Sequence, residues 1–290
     1  MSFFSRTAFA FDLPSCHPPA VQALRDEVTA FLKHHGLRLN TDLGQHFLVD
    51  DMALQLIVET AGIGPEDLVV EIGPGIGILT KELAARAGKV SAVELDERFI
   101  PLLKDYLAAQ DRTLLEKVVI QRGNALFATM PEKPYTIVAN IPYHITSPLL
   151  RHIFLESPLP PRSMTLLIQK EVAETICDPE NAGMLTILVG LFGTPSYVAT
   201  IDRAAFLPPP KVDSAILHVA CFDKPRTDRD TMDRIFTLTK ASFGQKRKML
   251  RNTLGKLPEG MEKLKRLNID PERRPQTLSI DEWIAVARAF

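Results

Sequence analysis

The stretch DLVVEIGPGIGILTKELAARAGKVSAVELD, residues 67 to 96, constrains this chain more than any other. Leu68, Val69, Val70 and Ile72 form a short apolar run rich in β-branched residues. It stops at Gly73-Pro74-Gly75-Ile76-Gly77, after which Leu79, Leu83 and Ala84 fall on one helical face. Val90, Ala92 and Val93 then predict a second strand that ends in Glu94. Strand, glycine turn, helix and strand are the parts of an open parallel sheet, which binds ligands beyond the carboxyl ends of its strands. There the glycines let the backbone approach a ligand, and an acid about 20 residues downstream can accept hydrogen bonds from a ribose diol.

The spacing narrows the ligand. A triphosphate loop would close on Gly-Lys-Ser/Thr, whereas this one continues Gly77-Ile78-Leu79. A dinucleotide loop wants G-x-G-x-x-G, but the glycines here run G-x-G-x-G behind Glu71, an acid that would repel a pyrophosphate and suit a cationic ligand. S-adenosylmethionine fits: it has a diol for Glu94, positive charge and no phosphate. A dinucleotide enzyme and an ordinary tight turn stay open on this stretch alone.

At 290 residues the chain is long enough for one large domain and a smaller one, and 46% hydrophobic with 24% charged residues is the balance of a globular protein. Cys16, Cys177 and Cys221 have no repeated spacing, so neither a disulfide framework nor a metal site is expected and a reducing, cytoplasmic setting fits. Phe3, Phe4, Phe9 and Phe11 lie among polar residues without an apolar core, so neither a secretory signal nor a membrane span is expected. The net charge of -1 conceals an asymmetry: residues 224–290 carry 16 Lys/Arg against 9 Asp/Glu, and residues 1–223 carry 18 against 26. A basic tail can steer a polyanion to one part of a near-neutral protein.

The pattern predicts an irregular arm over 1–19, a helix over 20–35, and a helix capped by Asp50 or Asp51 and carrying Leu54, Ile57 and Val58. A helix over 96–109 and strands over 117–121, 135–139 and 164–169 follow, with helices over 148–154 and 170–177. Residues 184–193, 196–201 and 214–222 read as further strands, antiparallel additions to a mostly parallel sheet. Short helices are expected over 232–241, 246–256, 261–266 and 280–289. The domains are therefore an N-terminal arm and extra helix (1–36), an α/β Rossmann-like domain (37–223) and a small basic helical domain (224–290).

Asn140-Ile141-Pro142-Tyr143 closes the 135–139 strand and carries the chemistry. An exocyclic base amine is a weak nucleophile because its lone pair is conjugated with the ring. It needs acceptors that draw its hydrogens aside and a surface on which a flipped base can stack. The Asn140 side-chain oxygen and the carbonyl of Ile141 or Pro142 suit the first need, the Tyr143 ring suits the second, and Pro142 stiffens the loop. Lys246, Arg247, Lys248 and Arg251, in a run from 240 to 258 without an acid, offer a face for an RNA backbone on a helix beyond Gly244.

Six motifs in order resemble the ribosomal RNA adenine N6-dimethyltransferases, from about Gly44 to the C-terminus. They are Glu71-Ile72-Gly73-Pro74-Gly75, Glu94-Leu95-Asp96, Asn140 to Thr146, Gln169-Lys170-Glu171-Val172, Phe206 to Ser214 and Phe243 to Lys248. The likeness is to the bacterial small-subunit (16S) type, which dimethylates two adjacent adenosines in a hairpin loop near the RNA 3′ end. It implies a class I S-adenosylmethionine-dependent methyltransferase fold and a monomer acting on small-subunit RNA within an immature 30S particle, with no membrane partner. His46, Leu48, Gly73, Glu94, Asn124 and Asn140 fall at cofactor positions. Asn140, Pro142, Tyr143 and Phe206 fall at catalytic ones, with Phe206 a second aromatic beside the target base. The large-subunit (23S) methyltransferases of macrolide resistance share the Asn-Ile-Pro-Tyr form, and a non-catalytic assembly factor is the other alternative. The chain departs from the pattern where His46 replaces an asparagine, Asn124 replaces an aspartate, Asn40-Thr41-Asp42-Leu43 replaces basic residues, and 180–186 lack a Tyr-Gly-Arg-Leu run.

Overall fold

In the computed structural model, residues 19–41, 44–244 and 248–290 are described. The arm expected over 1–19 lies outside them except for Pro19, which opens helix α1 (Pro19–His34). The strands are β1 (Phe47–Leu48), β2 (Leu68–Ile72), β3 (Lys89–Glu94), β4 (Val118–Arg122), β5 (Thr136–Asn140), β6 (Ser163–Gln169), β7 (Gly193–Ile201), β8 (Phe206–Leu207) and β9 (Ser214–Cys221). Between them run α2 (Asp51–Ala61), α3 (Ile78–Arg86), α4 (Phe99–Gln110), α5 (Leu114–Lys117), α6 (Thr146–Leu155), α7 (Lys170–Cys177) and α8 (Met184–Phe192). The chain ends in α9 (Arg229–Phe243), α10 (Gly260–Arg266) and α11 (Ile280–Ala289).

Seven strands form one sheet in the order β4-β3-β2-β5-β6-β9-β7. Neighbours from β4 to β6 are parallel, and β9 is antiparallel to both β6 and β7. The expected antiparallel additions are there. Side chains of a strand alternate between faces, and each face here has its own helical cover. Val69, Val90, Val138, Leu167 and Ile216 point to a core shared with α1 to α4. Val70, Ile137, Ala139, Leu166, Ile168 and Leu217 point to a core shared with α6 to α11. Burial on both faces explains why these strands read as unbroken apolar runs. The winding starts at β2, runs outward to β4 and resumes on the other side of β2 with β5, so the sheet opens a crevice at the carboxyl ends of β2 and β5.

Two expected elements differ. The run 184–193 is mainly helix α8 rather than a strand. Its apolar residues face the sheet on one side and the C-terminal helices on the other, and burial all round erases the helical period. Gly190 permits that packing, since a Cβ there would lie 2.9 Å from the Ile280 side chain. The helix expected over 246–256 is replaced, over its described part, by two 3-10 turns, Leu250–Asn252 and Leu254–Lys256. The backbone N–H groups of Leu250 and Arg251 donate to the carbonyls of Arg273 (2.8 Å) and Pro271 (2.9 Å), so they are not available to an α-helical ladder. The C-terminal helices share the core beneath α6 and α8, with Trp283 fully buried and Phe243 edge-on to it at 5.9 Å.

Candidate functional site

Four adjacent parallel strands end at one cavity of about 340 Å³. Gly73 and Gly75 follow β2, Glu94 closes β3, Gly123 and Asn124 follow β4, and Asn140 closes β5 with Pro142 beyond it; Gln45 and His46 come from the loop before β1. Ile72, Val93, Phe99 and Leu126 supply apolar wall. The glycine turn is held in conformations that side chains disfavour: Gly73, Gly75 and Gly77 have φ of 68°, 58° and 102°. A Cβ on Gly75 would also run into the Phe47 ring, which closes over the turn.

Glu94 links the turn to the next loop. One carboxylate oxygen accepts from the Gly75 N–H (3.0 Å) and the other from the Asp96 N–H (2.8 Å), leaving further lone pairs for a ligand diol. Burial pushes its carboxyl above the ordinary glutamate value, and these two N–H donors oppose the shift. Asp96 behaves in the opposite way. Arg98, at 2.6 Å, holds it down to about 2, and Gln45 donates to it as well (2.9 Å). Diol hydroxyls donate to the ionised Glu94 carboxylate, so S-adenosylmethionine affinity will fall towards acid pH as Glu94 takes up a proton, beginning above the usual glutamate range, while Asp96 stays charged. Calorimetry across pH checks this: Glu94→Gln should bind roughly tenfold or more weakly at pH 7.5 and lose the pH dependence.

Glu71 does not line the cavity, contrary to the reading that pairs it with a cationic ligand. It is 1% exposed, and burial pushes its carboxyl up to about 8, with the Thr80 hydroxyl opposing and the Glu94 charge adding. The folded state therefore keeps a proton that the unfolded chain releases near the reference value of 4.5. The resulting stability is complete below that value and is lost as pH rises to about 8. Urea unfolding of the wild type should weaken between pH 5 and 8 more than that of Glu71→Gln, by on the order of 2 kcal/mol.

The Asn140 Nδ2 donates to the His46 carbonyl at 3.0 Å. Because a carbonyl can only accept, this fixes the amide orientation and leaves Oδ1 as the acceptor for a ligand. Tyr143 is half-buried, and its hydroxyl bonds the buried Ser214 hydroxyl at 2.6 Å. Asn124 uses its side-chain oxygen to accept from the Leu126 N–H (3.0 Å), a tight turn that presents the residue at the cavity mouth.

The structure does not bring every expected residue to the wall. Leu48 (5% exposed) and Phe206 (1% exposed) are buried opposite each other in the β1–β8 pair and do not line the cavity. Helix α1 reaches this segment too, where Arg25 donates to the carbonyls of Ala204 and Phe206. Lys246 and Arg247 lie outside the described residues, Lys248 is exposed, and Arg251 is exposed but paired with Glu272. Gln45 and Phe99 also line the cavity, as do Asp96 and His144, which the resemblance includes in its motifs without giving them a role. Spacing assigns none of the four a role, because that depends on loops that meet only in the fold.

Comparison with known proteins agrees with this geometry. The family model for ribosomal RNA adenine dimethylase matches residues 36–290. The chain is similar to the ribosomal RNA small subunit methyltransferase A of Dehalococcoides mccartyi strain CBDB1, 38% identical over 267 residues, covering 90% of this chain and 91% of that protein. It is 39% identical to the protein of the same name from Enterococcus faecalis over 276 residues, 89% and 92% of the two chains. Among solved structures, a dimethyladenosine transferase from Plasmodium falciparum superposes with a TM-score of 0.71 at 26% identity, covering 82% of this chain and 94% of that one. The 23S rRNA methyltransferase ErmE gives 0.69, also at 26%, covering 84% and 98%. The sheet is that of the class I S-adenosylmethionine-dependent methyltransferases. With a glycine turn, a ribose-type acid and an Asn-Ile-Pro-Tyr loop converging on the crevice of that sheet, and a family match that runs to the last residue, this chain belongs to the ribosomal RNA adenine dimethylase family.

Proposed function

We propose that this protein transfers methyl groups from S-adenosylmethionine to N6 of two adjacent adenosines in the 3′-terminal hairpin loop of small-subunit (16S) ribosomal RNA, giving N6,N6-dimethyladenosine. The observation that carries the reading is Asn140 at the carboxyl end of β5, its amide nitrogen tied to the His46 carbonyl and its oxygen left as an acceptor beside the glycine turn. The cavity suits the cofactor by its donor set: an acid for the diol, apolar wall for the adenine, and Gln45, His46 and Gly73 around the remainder. When bound, S-adenosylmethionine supplies an electrophilic methyl group. Asn140 accepts a hydrogen bond from the target amine, the carbonyl of Ile141 or Pro142 accepts a second, and Tyr143 offers a stacking face. The amine's lone pair is thereby aimed at the methyl carbon, and no protein nucleophile is required.

Relatives named for the small subunit share 38–39% identity with this chain and ErmE shares 26%, which supports the small-subunit RNA as substrate over the large-subunit RNA. Exposed Lys248, Lys256, Lys265 and Arg274, together with Lys246, Arg247 and Arg251, belong to the basic stretch that we assign to RNA backbone in an immature 30S particle. The protein acts there as a cytoplasmic monomer. Labelled cofactor, purified protein and unmodified small-subunit particles should yield N6,N6-dimethyladenosine. A product on large-subunit RNA, or only monomethylated adenosine where a control enzyme works, would overturn the assignment. A non-catalytic assembly factor would show no cofactor binding lost on Glu94→Ala.

A further inference from the structure

Glu94 closes β3 and Asn140 closes β5, with β2 and its glycine turn between them in the sheet. In S-adenosylmethionine the base and the sulfur leave the ribose on opposite sides. A cofactor whose diol meets Glu94 and whose methyl group meets Asn140 therefore extends its base the other way, over the loop that follows β4. That loop supplies Asn124, Ala125 and Leu126 to the cavity. It opens a stretch, 123–135, that runs without helix or strand, so its shape depends on individual hydrogen bonds. At its start the Gly123 N–H donates to the Glu94 carbonyl (2.8 Å). Within it, Asn124 accepts from the Leu126 N–H through its side chain and from the Phe127 N–H through its carbonyl, both at 3.0 Å. At its end the Ala128 carbonyl accepts from His152 Nε2 at 2.9 Å, and since a carbonyl only accepts, Nε2 carries the proton. His152 lies on α6, 24 positions away, and is no part of the cavity wall. Its neighbours Leu149, Leu150 and Ile153 are fully buried, and its Nδ1 lies 2.9 Å from the Glu156 carboxylate one turn on, so both the helix and the ring are held.

We propose that His152 is a positioning residue for the adenine end of the cofactor: by holding the Ala128 carbonyl it sets the wall made by Asn124, Ala125 and Leu126, and with it the preference for adenine over a base with a different edge. This rests on the proposed use of S-adenosylmethionine, and the test separates the two. The probe is 5′-deoxy-5′-methylthioadenosine, which carries adenine, diol and sulfur without the amino acid. Its hypoxanthine counterpart differs only at the base edge. Glutamine places its amide nitrogen near the position of histidine Nε2 and asparagine near that of Nδ1, so the two variants separate the Ala128 bond from the Glu156 bond at similar polarity. In calorimetry, His152→Gln should bind the thioadenosine within about twofold of wild type. His152→Asn should bind it about fivefold more weakly, the loss of one hydrogen bond, and its preference for adenine over hypoxanthine should shrink by a similar factor. Glu156→Gln should leave both values at wild type. If His152 serves α6 alone, His152→Asn will unfold at a lower temperature with its base preference intact. That result, equal affinities in His152→Asn and His152→Gln, or a wild type that binds the two bases alike would overturn the assignment and leave the cofactor standing. If the wild type binds neither S-adenosylmethionine nor the thioadenosine, the cofactor reading fails and the role of His152 with it.

Discussion

Asn140→Ala should lower single-turnover methyl transfer by about 10²-fold or more at saturating cofactor, with RNA affinity changed little. The side chain has two jobs on opposite branches of one amide. Its nitrogen bonds the His46 carbonyl and ties the Asn140 loop to the segment before β1; its oxygen is the acceptor for the target amine in the reaction proposed above. Loss of the first bond costs the ordinary net value of a neutral hydrogen bond, about 1 kcal/mol. Loss of the second removes an interaction that strengthens as the amine gives up conjugation and gathers positive charge in the transition state. The rate effect is therefore expected to exceed the stability effect. Thermal unfolding, cofactor titration and single-turnover rates on the same preparation separate the two. Near-native turnover by Asn140→Ala would show that the chemistry is not in this loop. RNA affinity should respond instead to reversing two charges among Lys248, Lys256 and Lys265, which should also flatten its salt dependence.

The glycine turn and the strand ends were legible because both are local. Gly73 to Gly77 needs positive φ whatever surrounds it, and a run such as Val138-Ala139-Asn140 declares where a strand stops. Cap chemistry was equally local: Asp50 accepts from the Ala53 N–H at 3.0 Å and opens α2. Legibility ended where the outcome depended on distant packing. Met184 to Phe192 has no readable period because a helix between two layers is apolar on all sides. Glu71 reads as a charge until its burial is known. The resemblance puts Phe206 beside the target base, but in the fold it pairs with Leu48 of β1, is 1% exposed, and Arg25 of α1 donates to its carbonyl. The link from Tyr143 to Ser214 spans 71 positions, and that from His46 to Pro208 spans 162, so no spacing rule reaches either.

That long link decides what a Tyr143 series should show. Tyr143→Ala removes a stacking face and leaves the Ser214 hydroxyl buried without its partner, so turnover should fall by about 10²-fold, chiefly through lost base positioning. Tyr143→Phe keeps the ring but cuts the 2.6 Å anchor, which frees the face to drift. Its loss should be smaller, about 5- to 10-fold, and should appear in the apparent affinity for RNA more than in the rate at saturation. Ser214→Ala cuts the same anchor from the other side. If the bond matters only by holding the ring, the double variant Tyr143→Phe with Ser214→Ala should be no worse than either single one, because both remove one interaction. Additive losses would mean that the phenol hydroxyl has a separate role at the base. Cofactor affinity should stay near wild type throughout the series, since Glu94, Gly73 and Asn140 are untouched and Tyr143 does not line the cavity.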